Sequence, residues 1–312
     1  MLALTSATGK LGGAVLDAIL EHKLIDTKDL VVCTSSDPTS SRFSHLHASS
    51  ITVRQANFND ASSLTAAFKG CTSLFLVSTP AVEMDYNNAP LWSGREAHHR
   101  AAIDAAMTAR VQHIYYTSLG FASPSKAGVM RAHIRTEAYL HELARADKLR
   151  VTVLREGLYN ESWPLYFGYY FALKEEERRE VLVAGDGPVS WTSIADMAYA
   201  TARVLAHESG AWAGRTVYLS QRTTASLADV ARIVGAVRGV EVKLKVVDRK
   251  TYEDYYVQDM GMERPAVEWW SSTYEALEDG ECAVDDPTLE GFLKEAGREP
   301  KPLEDTIREM LK

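Results

Sequence analysis

The stretch from Leu2 to Gly13, LALTSATGKLGG, decides the fold. Its first three residues form an apolar run that predicts a buried strand, and the apolar residues after it recur at helical spacing. Between strand and helix, Gly9 and Gly12 fit the pattern x-x-x-G-x-x-G. Glycines there let the backbone approach a pyrophosphate and let the helix pack on the strand, while the helix N-terminus offers free N–H groups to phosphate. We therefore predict a dinucleotide-binding turn, in which Lys10 adds a cationic contact.

The usual first glycine of this pattern is replaced by Ser6, which we expect to hold the turn with a negative φ. Beyond the turn, strand-like and helical patterns alternate as far as Arg155. Such alternation predicts βαβ units and a Rossmann-like, doubly wound parallel sheet of the α/β class. The pattern then changes to an aromatic-rich segment. We expect a NAD(P)-binding domain at 1–155 and a smaller C-terminal α/β substrate-binding region at 156–312, partly interleaved with the first.

The composition excludes several classes of protein. The 312 residues carry a net charge of −8, which argues against a nucleic-acid-binding surface. No apolar run is long enough to cross a membrane, and the start of the chain lacks the features of a signal peptide. Three scattered cysteines without CxxC spacing, and histidine pairs without flanking ligands, predict no disulfide framework and no metal site. We expect a cytoplasmic protein.

The residues after the second predicted strand indicate which dinucleotide binds. Sites for NAD place an acidic residue there to hold the ribose 2′-hydroxyl. This chain has Thr34, Ser35 and Ser36 at that point, which favours the 2′-phosphate of NADP(H). Asp37 favours NAD(H) instead, and the nearest arginine in sequence is Arg42. We predict NADP(H), with NAD(H) as the less favoured cofactor.

Several motifs in the same order carry a family resemblance. They are TSATGKLG from Thr5, VRQANFND from Val53, YTSL from Tyr116, HIRTE from His133 and LREGLYN from Leu154. Together they resemble the NmrA-like group of atypical short-chain dehydrogenases, and most of all its NADPH-dependent quinone oxidoreductase branch. The resemblance is clear over about residues 1–165 and looser afterwards.

The resemblance implies a cofactor site assembled from five segments. The quinone oxidoreductase branch has an arginine for the 2′-phosphate where Ser36 aligns here. These segments would contact the phosphates, adenine, ribose and nicotinamide of the cofactor. In chain order, and with the second glycine of the turn included, the implied contacts are Ser6, Ala7, Thr8, Gly9, Lys10, Leu11 and Gly12; Ser35 and Ser36; Asn57 and Phe58; Ser78, Thr79 and Pro80; and Gly157, Leu158, Tyr159 and Asn160.

The catalytic pair of ordinary short-chain dehydrogenases, Tyr-x-x-x-Lys, is missing from its expected place. No tyrosine stands there, and Glu137 aligns with the lysine. A quinone or similar conjugated carbonyl compound stabilises the added charge by delocalisation, so hydride transfer to it needs no strong acid. We expect His133 to supply the proton because an imidazole titrates near neutrality, Ser118 to orient a carbonyl, and Tyr159 to lie near the nicotinamide.

A large apolar pocket would suit such an aromatic or conjugated small-molecule substrate. Two alternatives remain open: a non-catalytic NADP-sensing regulator that binds a protein partner, and a cofactor-assisted non-redox enzyme such as a cyclase. A homodimer is compatible with each of these functions. The aromatic residues expected to line the pocket are Tyr86, Trp92, Trp163, Tyr166, Phe167, Tyr169, Tyr170, Trp269 and Trp270.

Overall fold

The computed structural model describes residues 1–207 and 210–312. Its strands are β1 (Leu2–Leu4), β2 (Leu30–Thr34), β3 (Thr52–Gln55), β4 (Ser73–Leu76), β5 (His113–Leu119), β6 (Arg150–Glu156), β7 (Leu158–Tyr159), β8 (Glu180–Val183), β9 (Trp191–Thr192), β10 (Thr216–Leu219) and β11 (Lys243–Val246). Its α-helices are α1 (Lys10–Glu21), α2 (Ser44–Ala48), α3 (Ala61–Phe68), α4 (Glu96–Thr108), α5 (Met130–Arg145), α6 (Trp163–Tyr166), α7 (Ile194–Ala206), α8 (Leu227–Arg238), α9 (Arg249–Asp254), α10 (Arg264–Glu278), α11 (Thr288–Glu295) and α12 (Leu303–Leu311).

The central sheet has seven parallel strands in the order β10-β6-β5-β4-β1-β2-β3. Strands β1 and β2 are buried throughout and, apart from Thr34, apolar, as expected for a parallel sheet that is covered by helices on both faces. The predicted Rossmann-like fold is confirmed. The strand order reverses between β1 and β4, and ligands of such folds bind in the crevice at that point, beyond the carboxyl ends of the strands.

Helices cover the two faces of the sheet with separate apolar clusters. On one face, α1, α7 and α11 pack their buried side chains against the strands. On the other face, α3, α4 and α5 do the same. Strand β10 joins the edge of the central sheet through β6, so segments from the second half of the chain complete the first core.

A second apolar core holds the rest of the C-terminal half. It is built around α6, α8 and α10 and includes two small parallel pairs, β8 with β11 and β7 with β9. Its fully buried members include the large side chains of Trp163, Trp191 and Tyr274. Within the two described ranges, no helix combines the length and apolar character required to span a bilayer.

Candidate active site

The glycine turn lies between β1 and α1 at the switch point of the sheet. Gly12 is packed so closely that a Cβ atom there would lie 2.3 Å from the carbonyl oxygen of Ser6. Thr8, Gly9 and Lys10 are exposed. Within the described residues, no side chain caps the first turn of α1, whose N-cap is Gly9. Its N–H groups therefore remain available to an anion, as a pyrophosphate site requires.

The backbone of Ser6 differs from the prediction. Its φ is +52°, so the expected negative φ is wrong. The residue stands in the left-handed conformation that glycine adopts without cost and other L-residues adopt at a cost of about 1–2 kcal/mol. The turn keeps its shape because the Gly9 N–H donates to the Ser6 carbonyl at 2.8 Å. The conformation that the turn needs is therefore retained without the glycine.

The segment after β2 brings the cationic side chain of Arg42 close to Ser36, although the two residues are separated in sequence. Ser35 is exposed and Ser36 is half-buried, and the Arg42 guanidinium donates to the Ser36 hydroxyl at 3.4 Å. Six residues separate the two along the chain, but the turn at Asp37 folds them together, with its carboxylate accepting from the Thr39 N–H at 2.8 Å. Arg42 thus contacts Ser36, the position at which the resemblance implies an arginine.

The segments after β3 and β4 lie along the same edge of the sheet. Asn57 and Phe58 are half-buried, and the Phe58 ring stacks on His98 at 5.6 Å between centroids. The Thr79 N–H donates to Nε2 of the buried His99 at 3.2 Å, and the Ser78 hydroxyl lies 3.1 Å from the same atom. Pro80, next in sequence, is exposed. These contacts fix the backbone beyond β4 in one position.

The segment after β6 divides between the site and the core. A Cβ at Gly157 would lie 2.6 Å from Thr192 Oγ1, so only glycine fits there. Leu158 and Tyr159 line a cavity. Asn160, in contrast, is fully buried, and its amide nitrogen donates to Thr306 Oγ1 at 3.2 Å. The prediction that Asn160 contacts the cofactor is wrong for its side chain, which is turned towards α12.

The cavity occupies about 400 Å³ beyond the ends of β5 and β6, between these strands and α10. None of the described residues that line it carries a charge. Leu119, Met262 and Ala266 also belong to the wall. The sequence did not predict this role, because no local pattern links the three residues. The lining residues are Val82, Tyr86, Leu119, Val129, Gly157, Leu158, Tyr159, Ser162, Leu165, Tyr166, Tyr169, Phe171, Met262, Ala266, Trp269 and Trp270.

The predicted aromatic wall is correct in part. Tyr86, Tyr166, Tyr169, Trp269 and Trp270 line the cavity. The remaining four do not line it. Trp163, Phe167 and Tyr170 are fully buried in the second core. Trp92 packs edge-on against Tyr139 outside the cavity.

His133 is not placed to donate a proton. It is only 2 % exposed, lies outside the cavity lining, and has its Nδ1 atom 3.0 Å from the Tyr116 hydroxyl. Burial, aided by the positive charge of Arg95, lowers the pKa of the His133 imidazole well below its usual value. His133 thus lies outside the cavity with Tyr116 as its partner, which contradicts the prediction that it donates a proton to the substrate.

Ser118 is also occupied. Its hydroxyl donates to Glu137 Oε1 at 2.5 Å, and Arg155 Nη2 donates to Glu137 Oε2 at 2.7 Å. All three side chains are buried. The position that would hold the catalytic lysine is thus one end of a buried ion pair, and Ser118 completes that pair rather than orienting a substrate carbonyl. The prediction for Ser118 is contradicted by this geometry.

Tyr159 is the one predicted catalytic residue that reaches the cavity. Burial, with the nearby carboxylates of Glu156 and Glu161, raises the pKa of its hydroxyl above the ordinary value. Burial also raises the pKa of Tyr166 and Tyr169. The cavity therefore holds weakly acidic hydroxyls and apolar surface. Elsewhere in the described ranges, no cluster of three or more His, Cys, Asp or Glu residues could hold a metal ion.

Comparison with protein families gives a match over residues 1–289 to the model described as the NmrA-like family. The chain is 29 % identical to the NmrA-like family domain-containing oxidoreductase flvB of Aspergillus flavus, over 99 % of this chain and 94 % of flvB. It is 33 % identical to quinone oxidoreductase 2 of Escherichia coli, over 66 % of this chain and 64 % of that protein.

Solved structures agree with these sequence matches. The NADPH complex of the Escherichia coli quinone oxidoreductase superposes with a TM-score of 0.80 at 25 % identity, covering all of both chains. The NADP(H) complex of the Citrobacter sp. triphenylmethane reductase superposes with a TM-score of 0.79 at 25 % identity, covering 99 % of both chains. Both likenesses extend through the C-terminal half, which contributes most of the residues that line the cavity.

Proposed function

Because this chain belongs to the NmrA-like family, we propose that it is an NADPH-dependent oxidoreductase that passes hydride to a flat, conjugated acceptor such as a quinone. The main support is an apolar cavity of about 400 Å³ at the carboxyl edge of the sheet. Tyr159, at the end of β7, which follows β6, lines this cavity. In folds of this kind the reacting end of a dinucleotide reaches that edge. A cytoplasmic location is part of the same proposal.

The residues present fit a dinucleotide that carries a 2′-phosphate. The turn from Ser6 to Gly12 offers the uncapped N-terminus of α1 to the pyrophosphate. Arg42 and Ser36 offer a guanidinium and a hydroxyl to the 2′-phosphate, in place of the acid that would select NAD. A reduced nicotinamide, when bound, supplies hydride.

The chain's own contribution to the reaction is positioning. Aromatic side chains such as Trp269 and Tyr166 hold a flat acceptor and exclude water from it. His133, the predicted acid, is buried and does not line the cavity, so the added charge is spread over the acceptor itself. An acceptor with delocalised electrons meets that requirement, and holding it in a fixed orientation provides most of the rate enhancement.

Cavity filling tests the proposal. NADPH oxidation by 1,4-naphthoquinone is followed in the wild type, in Ala266→Trp, which fills the cavity, and in Ala228→Trp, which alters the exposed face of α8. We expect kcat/KM to fall about tenfold or more only in Ala266→Trp, with NADP⁺ affinity unchanged in both variants.

Three results would contradict the proposal. Equal activity in Ala266→Trp would remove the cavity as the acceptor site. Tight NADP⁺ binding without turnover of a broad panel of acceptors, together with a co-purifying protein, would favour a sensing regulator. Conversion of a substrate without net change in the nicotinamide absorbance would favour a cofactor-assisted non-redox enzyme such as a cyclase.

A further inference from the structure

A second cavity meets the first at Trp269. It has a volume of about 420 Å³ and is lined by the segment that follows β4, the start of α5 with the loop before it, and helices α9 and α10. Most of its described lining residues are polar or charged, so we call it the polar pocket and the first one the apolar cavity. Trp269 belongs to the described walls of both. The function proposed above makes no use of the polar pocket.

The indole of Trp269 meets the two cavities through different neighbours. Its ring lies 5.7 Å, between centroids, from the ring of Tyr86, which lines the apolar cavity. A Cβ at Gly128, which lines the polar pocket, would lie 3.3 Å from Trp269 Cδ1. Because Cδ1 is bonded to Nε1, the nitrogen-bearing edge of the indole lies next to the wall of the polar pocket.

One charge in the wall of the polar pocket lacks a counter-charge. Among the described lining side chains, three are cationic and three are anionic. Arg131 differs from the others because it forms no ion pair with any residue of 1–207 or 210–312. The wall therefore carries one uncompensated positive charge. The other five are paired as Asp85 with Arg95 at 2.7 Å, Lys126 with Asp279 at 2.6 Å, Arg249 with Glu253 at 2.8 Å and Glu268 with Arg264 at 3.5 Å.

Two N–H donors of the lining residues are also unused. The Arg131 side chain is half-buried, and its Nη2 donates to Asn88 Oδ1 at 2.8 Å. Its Nη1 is buried and has no hydrogen-bond partner in the described part of the chain, and the same is true of Trp269 Nε1. Buried polar groups are nearly always hydrogen-bonded, since an unmade bond costs free energy. Two such donors at one pocket indicate that it takes a ligand with acceptor atoms.

We propose that the polar pocket binds the carboxylate of a small organic acid. The two oxygens of a carboxylate accept hydrogen bonds, and its single negative charge matches the one uncompensated guanidinium, that of Arg131. A phosphate group carries nearly two charges, and the second would stand beside Glu253 and Glu268 without a counter-charge. A volume of about 420 Å³ holds an acid of the size of benzoate.

The acid and a hydride acceptor occupy different spaces. Trp269 is part of both walls, so an acid in the polar pocket lies on one side of the indole and an acceptor in the apolar cavity on the other. Both can therefore be bound at once. The inference does not depend on hydride transfer, and binding measurements test it even if the chain reduces no quinone.

Binding of a matched pair of probes tests the charge of the ligand. Benzoate carries a carboxylate, and benzamide has the same shape without the charge. Equilibrium dialysis against the full chain, with and without saturating NADP⁺, gives both dissociation constants. We expect benzoate to bind about fivefold more tightly or better, with NADP⁺ present or absent. Equal binding of the two probes, or loss of benzoate binding when NADP⁺ fills the cofactor site, would overturn the inference.

Arg131→Gln tests the residue that the inference depends on. Glutamine keeps a donor for Asn88 but removes the charge, so the dissociation constant of benzoate should rise about tenfold while that of benzamide hardly changes. Arg145→Gln removes an exposed arginine from the other end of α5 and should alter neither constant. Equal weakening in the two variants would mean that benzoate responds only to net charge, which contradicts a built site.

A second variant keeps the test decisive if Arg131→Gln folds poorly. Asn87 is exposed at the pocket, and its φ of +54° is one that Asp also tolerates. Asn87→Asp therefore adds a carboxylate to the wall with little strain. We expect benzoate to bind about fivefold more weakly at low ionic strength and the difference to shrink in 0.5 M salt. Unchanged benzoate affinity in this variant would count against the site.

Trp269 reports where the acid binds. Its indole N–H resonance is assigned by its loss in Trp269→Phe, and benzoate should move this resonance more than those of the other tryptophans. A shift confined to another tryptophan would overturn the inference. In turnover of 1,4-naphthoquinone, benzoate should not act as a competitive inhibitor, since a rise in KM at constant kcat would place it in the apolar cavity. Absence of turnover would refute the proposed reductase and leave the acid site to the binding data.

Discussion

Arg155 Nη2 lies 2.7 Å from Glu137 Oε2, and this ion pair is buried between β6 and α5. The other guanidinium nitrogen, Nη1, donates to the Phe121 carbonyl at 2.9 Å and the Tyr218 hydroxyl at 3.0 Å. The pair thus ties the ends of β5, β6 and β10 together behind the cavity. It holds a carboxylate where an ordinary short-chain dehydrogenase would use its lysine, so this position serves structure and not proton transfer.

Removing the carboxylate should destabilise the protein strongly. Glu137→Leu leaves a buried guanidinium without its counter-charge and Ser118 without its acceptor, and we expect the free energy of unfolding to fall by about 3 kcal/mol. Chemical denaturation measures the change. Glu142→Leu, on the exposed face of the same helix, is the control and should change stability by about 0.5 kcal/mol or less. A loss in Glu137→Leu as small as that expected for the control would show that the pair is dispensable.

Glu156 should make stability depend on pH. Burial raises the pKa of its carboxyl to about 8, so the folded protein holds a proton that the unfolded chain releases near pH 4.5. Stability is then complete at acidic pH and is lost as the pH rises towards 8, because the folded state binds more protons than the unfolded state over that window. Glu156→Gln keeps an acceptor for the Thr201 hydroxyl without this cost.

We therefore expect Glu156→Gln to be more stable than the wild type by about 4 kcal/mol at pH 8.5 and by about 1 kcal/mol or less at pH 5. Urea titrations at the two pH values measure the difference. Glu142→Gln, whose carboxylate is exposed, should show the same small difference at both. A constant offset between Glu156→Gln and the wild type across the range would exclude the raised pKa.

The exposed glycine of the turn separates stability from cofactor binding. Asp is a favourable N-cap residue, so Gly9→Asp should leave the melting temperature within about 2 °C of the wild type. Its carboxylate would face the pyrophosphate, and we expect the dissociation constant for NADPH to rise about 100-fold or more, as measured by calorimetry. Gly9→Ser caps the helix without a charge and should bind far better than Gly9→Asp. Unchanged affinity in Gly9→Asp would contradict the phosphate site.

Arg42 should set the preference between the two nicotinamide cofactors. Arg42→Gln removes the guanidinium beside Ser36, and we expect the preference for NADPH over NADH to fall about tenfold, because a charged hydrogen bond to phosphate is lost. The affinity for NADH serves as the internal control and should hardly change. If affinities for both cofactors fall together, Arg42 acts on the shape of the turn and not on the 2′-phosphate.

The central sheet was open to prediction because its signal is local. The apolar run before Gly9, the glycine turn and the helical spacing after it lie within one short stretch of chain. Parallel pairing then brings the carboxyl ends of the strands to one edge, so Ser36, Asn57, Ser78 and Gly157 could be expected together without knowledge of any side-chain contact.

The roles of individual side chains were less predictable. Residue type showed that His133 can carry a proton and that Ser118 can donate a hydrogen bond, but not that Tyr116 and Glu137 already engage them. For Arg42 the sequence predicted too little. Six residues separate it from Ser36, so its position in the sequence did not indicate that the fold brings its guanidinium to the Ser36 hydroxyl. In each case the partner comes from another element or from the far side of a turn.

The strand–turn–helix start, the parallel sheet and the edge at which a dinucleotide is expected follow from local patterns, because periodicity and glycine geometry act between neighbours in the chain. The cavity does not, since its wall joins Tyr86 and Tyr159 to Trp269 on α10. Burial, charge pairing and the space left between side chains depend on contacts between distant segments, and the chain acquires them only when it folds.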